Sequence, residues 1–430
     1  MMLQAILVSG FVHAQTYRVI YNFVGEADGA NPNSGVTSDA SGNLYGTTSD
    51  GGFERSDYCL VRSGCGTVYK LAQSHSSWIL TPLYNFRGGQ DGVEPLARVV
   101  AGPDGTLYGT TFAGGGFGCN TGSSLGCGTV FNLRPPARPC ASTICPWTET
   151  VLYRFSGGVD GENPGLGDLV FDQAGNIYGT TESGGADNMG TVFKLSRTGN
   201  TWTESIIYSF TNQNDGRFPI GGVILVNGNL YGATECAGHF GFCVGTVIYE
   251  LVPAGSGWTF NPLYTQVPPQ GSLSYASLTA DGRGSFFGTT YAGGEGNCSD
   301  SFGVNTGCGT VFHGALDGIF TAFNNPLNAP SLSGPSAPVT LDVSGNIYGT
   351  TTADGANGFG NIFKLTYQNG DWTYTSLHDF AGGTDGFYPL SSVSVRDNGN
   401  LYGTAYYGGT GHNCPTGANY GCGIIWQITP

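Results

Sequence analysis

The chain has 430 residues, 74 of them Gly, with 39% hydrophobic, 13% aromatic and only 10% charged residues. Gly without a G-X-Y period, beside that much apolar surface, excludes collagen and disorder and points to many short strands joined by turns. Thirty acidic against fifteen basic residues give a net charge of -15, which argues against nucleic acid and against an anionic membrane surface as partners.

In chain order, the first feature is an apolar run from Leu3 to Val12, ending at Val12-His13-Ala14. It reads as a signal-peptide-like segment over 1–14 that lacks the usual basic opening, and it leads us to expect export. No other stretch is apolar for long enough to be a transmembrane helix. TYRVIYNF follows, from Thr16 to Phe23, rich in the β-branched and aromatic residues that strands favour.

Seven related units then run one after another. GNLYGTT at Gly42 returns in close copies at Gly105, Gly175, Gly228, Gly284, Gly345 and Gly399. The third unit, Leu169 to Phe210, shows the pattern in full: LVF, a D-x-x-G-N turn, NIYGTT, a Gly-rich loop, GTVFKL, a polar turn and TWTESIIYSF. These are four strand-like segments. In the fourth, Trp78, Trp147, Trp202, Trp258 and Trp372 each stand six residues before Tyr84, Tyr153, Tyr208, Tyr264 or His378. An even spacing along a strand predicts that both rings lie on one face, as packing between neighbouring sheets. The Gly inside each copy (Gly46, Gly109, Gly179) reads as a place where backbone approaches closely near a crowded axis.

Seven four-stranded units predict an all-β fold: a seven-bladed β-propeller of antiparallel blades forming one domain over 15–430. The last segment, CGIIWQITP, matches a third strand. The seventh unit therefore lacks its outermost strand, and TYRVIYNF supplies it, closing the ring and removing an exposed edge.

Twelve cysteines form six local pairs: Cys59/Cys65, Cys119/Cys127, Cys140/Cys145, Cys236/Cys243, Cys298/Cys308 and Cys414/Cys422. Close pairs in an even count read as disulfides of an oxidising compartment. Zinc would want four ligands at each site, so no metal and no cofactor is expected. The loops from fourth to first strands repeat D-G-x-x-P at Asp28, Asp91, Asp160, Asp215 and Asp385. These aspartates read as turn residues; calcium is the weaker reading, because its loops concentrate several carboxylates. Before units five and six the element gives way to PLYTQVPPQGSLSY and FNNPLNAPSLSGPSAP.

The succession GNLYGTT, GG, GTVFKL resembles the Gloeo/Verruco (GloVer) repeat of exported bacterial proteins, over nearly the whole chain after residue 16. The resemblance implies tandem repeats and export, often with a C-terminal surface anchor. Here Pro430 follows the last strand with no anchor segment, so release or attachment through a partner is expected. The resemblance supplies no biochemical activity.

Site candidates come from the rim that carries the long loops. Glu182 and Glu235 stand at equivalent positions on adjacent blades, just after the repeated Thr, as an acid/base pair of a glycosidase would. His239 and His412, with Tyr291 and Tyr406, are candidates for the base and acid of a lyase. His313 breaks the pattern of unit five and, with Tyr291 and Tyr406, is a ligand-binding candidate. The leading expectation is a secreted, monomeric binding module for an extracellular polysaccharide or surface protein. A polysaccharide lyase or glycoside hydrolase using the same rim, or a structural and adhesive repeat, are the alternatives.

Overall fold

The repeated heptapeptide becomes the second strand of every blade: Leu44–Thr48, Leu107–Thr111, Ile177–Ser183, Asn229–Ala233, Ser285–Thr290, Ile347–Thr351 and Leu401–Ala405. The structure is a computed structural model that describes residues 15–52, 59, 64–116, 118–119, 126–137, 147–237, 245–267, 271–294, 298, 307–315, 320–324, 334–412, 414 and 420–430. The expected leader over 1–14 lies outside these. Seven antiparallel sheets form a seven-bladed propeller, with strands in sequence order except that the N-terminal strand is outermost in blade seven; in blade three Glu162–Pro164 adds a fifth strand beside Ile177–Ser183. In blade one the order is Thr37–Ser38, Leu44–Thr48, Thr67–Ser74 and Ser77–Asn85. The very short first strands contact one another between blades three and four, four and five, and six and seven.

Each residue of the heptapeptide has its own task. The Tyr hydroxyl donates to the aspartate of the preceding turn, as in Tyr45 to Asp39 and Tyr178 to Asp172, both at 3.0 Å. The first Thr donates to a carbonyl of the next blade: Thr47 to Ala97, Thr180 to Gly221, Thr289 to Ala337 and Thr350 to Ser391, at 2.8–3.2 Å. Thr404 of blade seven donates to Ser34 of blade one at 2.9 Å, so the clasp runs across the seam. The second Thr pairs with the third strand of its own blade, as in Thr48 with Thr67 and Thr181 with Thr191, both at 2.8 Å.

The central Gly answers to packing within the blade, which corrects the expectation of backbone approach at the axis. A Cβ at Gly46 would lie 2.3 Å from the Tyr69 hydroxyl, and one at Gly179 would lie 2.6 Å from the Phe193 ring. In every blade the third-strand aromatic lies across this Gly, with Trp426 taking the place in blade seven.

The fourth strands correct a second expectation. A β-bulge shifts their register, so Gln73 faces Trp78 while Val68 faces Tyr84. One extra residue reverses the faces. Trp78 therefore packs towards blade seven, 6.0 Å from Tyr402, while Tyr84 joins the core shared with blade two. Blades three, four and six carry the same bulge. The core is accordingly a series of apolar seams between blades, each filled by aromatic side chains of two sheets.

Closure is by the N-terminal strand. Thr16–Asn22 pairs antiparallel with Ile424–Thr429, from Thr16 opposite Thr429 to Asn22 opposite Ile424. Arg18 donates to Gln427 at 2.8 Å, and Tyr17 stacks on His378 of blade six at 3.5 Å. Four of the expected disulfides are present: Cys59–Cys65, Cys119–Cys127, Cys298–Cys308 and Cys414–Cys422. Cys236 is also disulfide-bonded; Cys243, Cys140 and Cys145 lie outside the described residues. No helix among the described residues is long and apolar enough to cross a membrane.

Candidate functional site

Two sets of loops share one rim, held together by bridges such as Ala30 with Asp50, Val93 with Ala113 and Phe387 with Tyr407. The D-G-x-x-P aspartates build this frame from inside. Asp28, Asp91, Asp160, Asp215 and Asp385 each accept from a Tyr or His of the fourth strand at 2.8–3.0 Å. Each also accepts from the backbone amide four residues earlier. They serve their own turns, one per blade, rather than converging on an ion.

Just after the Pro of that element, or its counterpart, the chain of every blade dips to the axis. Ser34, Leu96, Leu166, Ile220, Tyr275, Ser336 and Leu390 come from seven successive blades and line one axial cavity of about 570 Å³. Its floor carries an ion pair between Arg98 and Asp168 of adjacent blades, with the Arg98 Nε 2.9 Å from the carboxylate. Its mouth is made by Glu94, Phe112, Glu182, Tyr291 and Tyr388.

The electrostatics of the mouth are unusual. Burial, followed by the charges of Glu235 and Glu162, pushes the Glu182 carboxyl from an ordinary 4.5 up to about 7. Burial also raises Glu235, against a hydrogen bond from Tyr275 and the charge of Arg217. Tyr275 is raised in turn by burial and by Glu235. The Tyr275 and Tyr291 rings lie 5.6 Å apart, and Tyr388 shares a hydrogen bond with Tyr291. A partly desolvated group of carboxyls and phenols can donate and accept hydrogen bonds around a bound polar ligand.

The structure brings Glu182 and Glu235 together and puts Tyr291 at the same mouth. Tyr406 lies on the rim of blade seven, its backbone amide donating to Tyr388 at 3.2 Å. His412 is exposed on a neighbouring loop and does not line the cavity. His239 lies outside the described residues. His313 is on the third strand of blade five, half-buried, its ring 4.8 Å from Phe287. It takes the place of Lys70, Lys194 and Lys364, which lie over Tyr45, Tyr178 and Tyr348 in other blades.

Glu94, Glu162, Tyr275 and Tyr388 escaped sequence reasoning. One signal pointed to some of them. The fourth position of D-G-x-x-P varies among Asn31, Glu94, Asn163, Phe218 and Tyr388 while Asp, Gly and Pro repeat. All five have φ between 56° and 60°, a left-handed turn that holds this residue at the rim.

The model of the Gloeobacter/Verrucomicrobia repeat matches residues 117–304. No curated protein matches the sequence. Among solved structures, the periplasmic gluconolactonase of Pseudomonas aeruginosa is 14% identical, covering 85% of this chain and 93% of its own, with a TM-score of 0.46. A protein of unknown function from Dyadobacter fermentans DSM 18053 is 13% identical, covering 97% of this chain and 100% of its own, with a TM-score of 0.43. Likenesses of this degree carry no chemistry across.

Proposed function

We propose that this chain, which belongs to the Gloeobacter/Verrucomicrobia repeat family by its residues 117–304, is an exported saccharide-binding propeller whose ligand seats in the axial mouth. The observation that carries the reading is the convergence of all seven blades on one cavity of about 570 Å³, with tyrosines and carboxyls at its opening and apolar side chains beneath. Sugars are recognised by that combination: a ring face against an aromatic side chain, and hydroxyls between polar groups that are already positioned. Disulfides in the rim loops support an oxidising, extracellular setting.

Titration calorimetry against a panel of neutral and charged oligosaccharides tests the proposal. Saturable binding is expected, weakened about tenfold by Tyr291→Ala, a loss of about 1.4 kcal/mol in keeping with one aromatic contact. Silence across the panel would remove the saccharide reading. The same mixtures, assayed for new reducing ends, address hydrolysis. Cleavage by the parent protein that disappears in both Glu182→Gln and Glu235→Gln would make the mouth a glycoside hydrolase site.

A further inference from the structure

The mouth does not end at Tyr388. From there, aromatic rings continue outwards over blades seven and six. Tyr388 and Tyr407 are 6.1 Å apart, and Tyr407 stacks on Phe387 at 5.0 Å and 25°. Tyr420 lies 5.7 Å from Tyr407, and Phe359 lies 5.7 Å from Phe387. The outer two are exposed, Phe359 by 41% and Tyr420 by 53%, while the inner ones are half-buried. With Tyr291 and Tyr275 at the inner end, successive ring contacts of 5.0–6.1 Å and two hydrogen bonds, Tyr388 with Tyr291 and Tyr275 with Glu235, join the open rim to the carboxyl of Glu235. A seam between two blades needs no such path along the surface, and large aromatics left half-open on a rim are recognition surface rather than core.

The charges at the inner end choose among ligands. Glu94, Glu162, Glu182 and Glu235 gather there, and the nearby Arg98 is already tied to Asp168. Arg217 answers one of these carboxyls, Glu235. On a chain of net charge -15, a uronate polymer is repelled from this place, and an uncharged polymer gains hydrogen bonds but no charge attraction from it. An ammonium group gains twice, from the carboxyls and from the faces of the tyrosines.

We infer that the track and the mouth form one extended site for an amino-sugar chain, its rings stacked from Phe359 and Tyr420 inwards and its terminal amine held by Glu182 and Glu235. The inference rests on the saccharide reading and narrows it to a polymer with free amines.

Calorimetry around pH 7 uses four probes: glucosamine dimer, glucosamine hexamer, N-acetylglucosamine hexamer and galacturonate hexamer. The glucosamine hexamer is expected to bind about tenfold tighter than the dimer and about tenfold tighter than its acetylated counterpart, each step being about 1.4 kcal/mol. Added salt should weaken it. Phe359→Ala combined with Tyr420→Ala, two exposed positions whose loss leaves the melting temperature in place, should bring the hexamer close to the dimer. Glu182→Gln with Glu235→Gln should level the free and acetylated hexamers. Equal binding of acetylated and free hexamers, or preference for galacturonate, overturns this inference while leaving saccharide binding intact. Absence of binding by all four probes overturns it, and silence across the wider panel overturns the saccharide reading as well.

Discussion

Glu182 carries the strongest residue-scale expectation. Its carboxyl is held at about 7 in the folded protein, above its ordinary 4.5, by burial and by Glu235 and Glu162. The folded state therefore binds this proton more tightly than the unfolded chain, so its contribution favours folding at low pH and is lost as pH rises from about 4.5 through about 7. Glu182→Gln should raise stability at pH 8 by about 2 kcal/mol, leave it nearly unchanged at pH 4, and flatten the fall in melting temperature between them. A variant whose melting curve tracks the parent at both pH values would show that the burial of this carboxyl is not felt. Glu182 and Glu235 were legible because they occupy matching places in matching units. Tyr275 was not, because PLYTQVPPQGSLSY abandons the D-G-x-x-P wording while keeping its path, with Ser272 still bridged to Ala292. Backbone geometry is retained there by hydrogen bonds that no side chain advertises.

A pair of glycines in one heptapeptide separates two element-scale effects. Gly175 has φ +81° with nothing within 4 Å of an added Cβ, whereas Gly179 is extended with the Phe193 ring 2.6 Å away. Gly175→Ala pays only the left-handed backbone cost, about 1 kcal/mol. Gly179→Ala must displace a fully buried ring and should cost about 3 kcal/mol. Urea melts of both compare them directly, and equal losses would contradict the distinction. Combining Gly179→Ala with Phe193→Leu should be less than additive, since both act on one contact. Strand count, strand order and the turn role of the aspartates were all readable from repetition. The facing of Trp78 against Tyr84 was not. A bulge adds one residue without a sequence mark that outweighs period-two spacing, and it turns a shared face into two opposite ones.

On the scale of the whole molecule, stability depends on a seam that no single unit contains. Blade seven takes Thr16–Asn22 from one end of the described chain and Ile424–Thr429 from the other. Thr404 fastens it to Ser34, and Tyr17 fastens it to blade six. Removing residues 15–22 should expose the edge of Ile424–Thr429, lower the melting temperature by about 10 °C and produce concentration-dependent association. Light scattering together with thermal melts checks this; an unaltered monomer would mean that the seam is held by the Thr clasps alone.

The direction of that final pairing also decides how the molecule can be handled. Thr16 lies opposite Thr429, at the end of the blade away from Asn22, from which the chain turns into the loops around the mouth. A support attached beside Thr16 or Thr429 would hold the ring by its back, with the opening facing the medium. Tension applied between the two ends would peel that pair apart one rung at a time, instead of loading all its hydrogen bonds together.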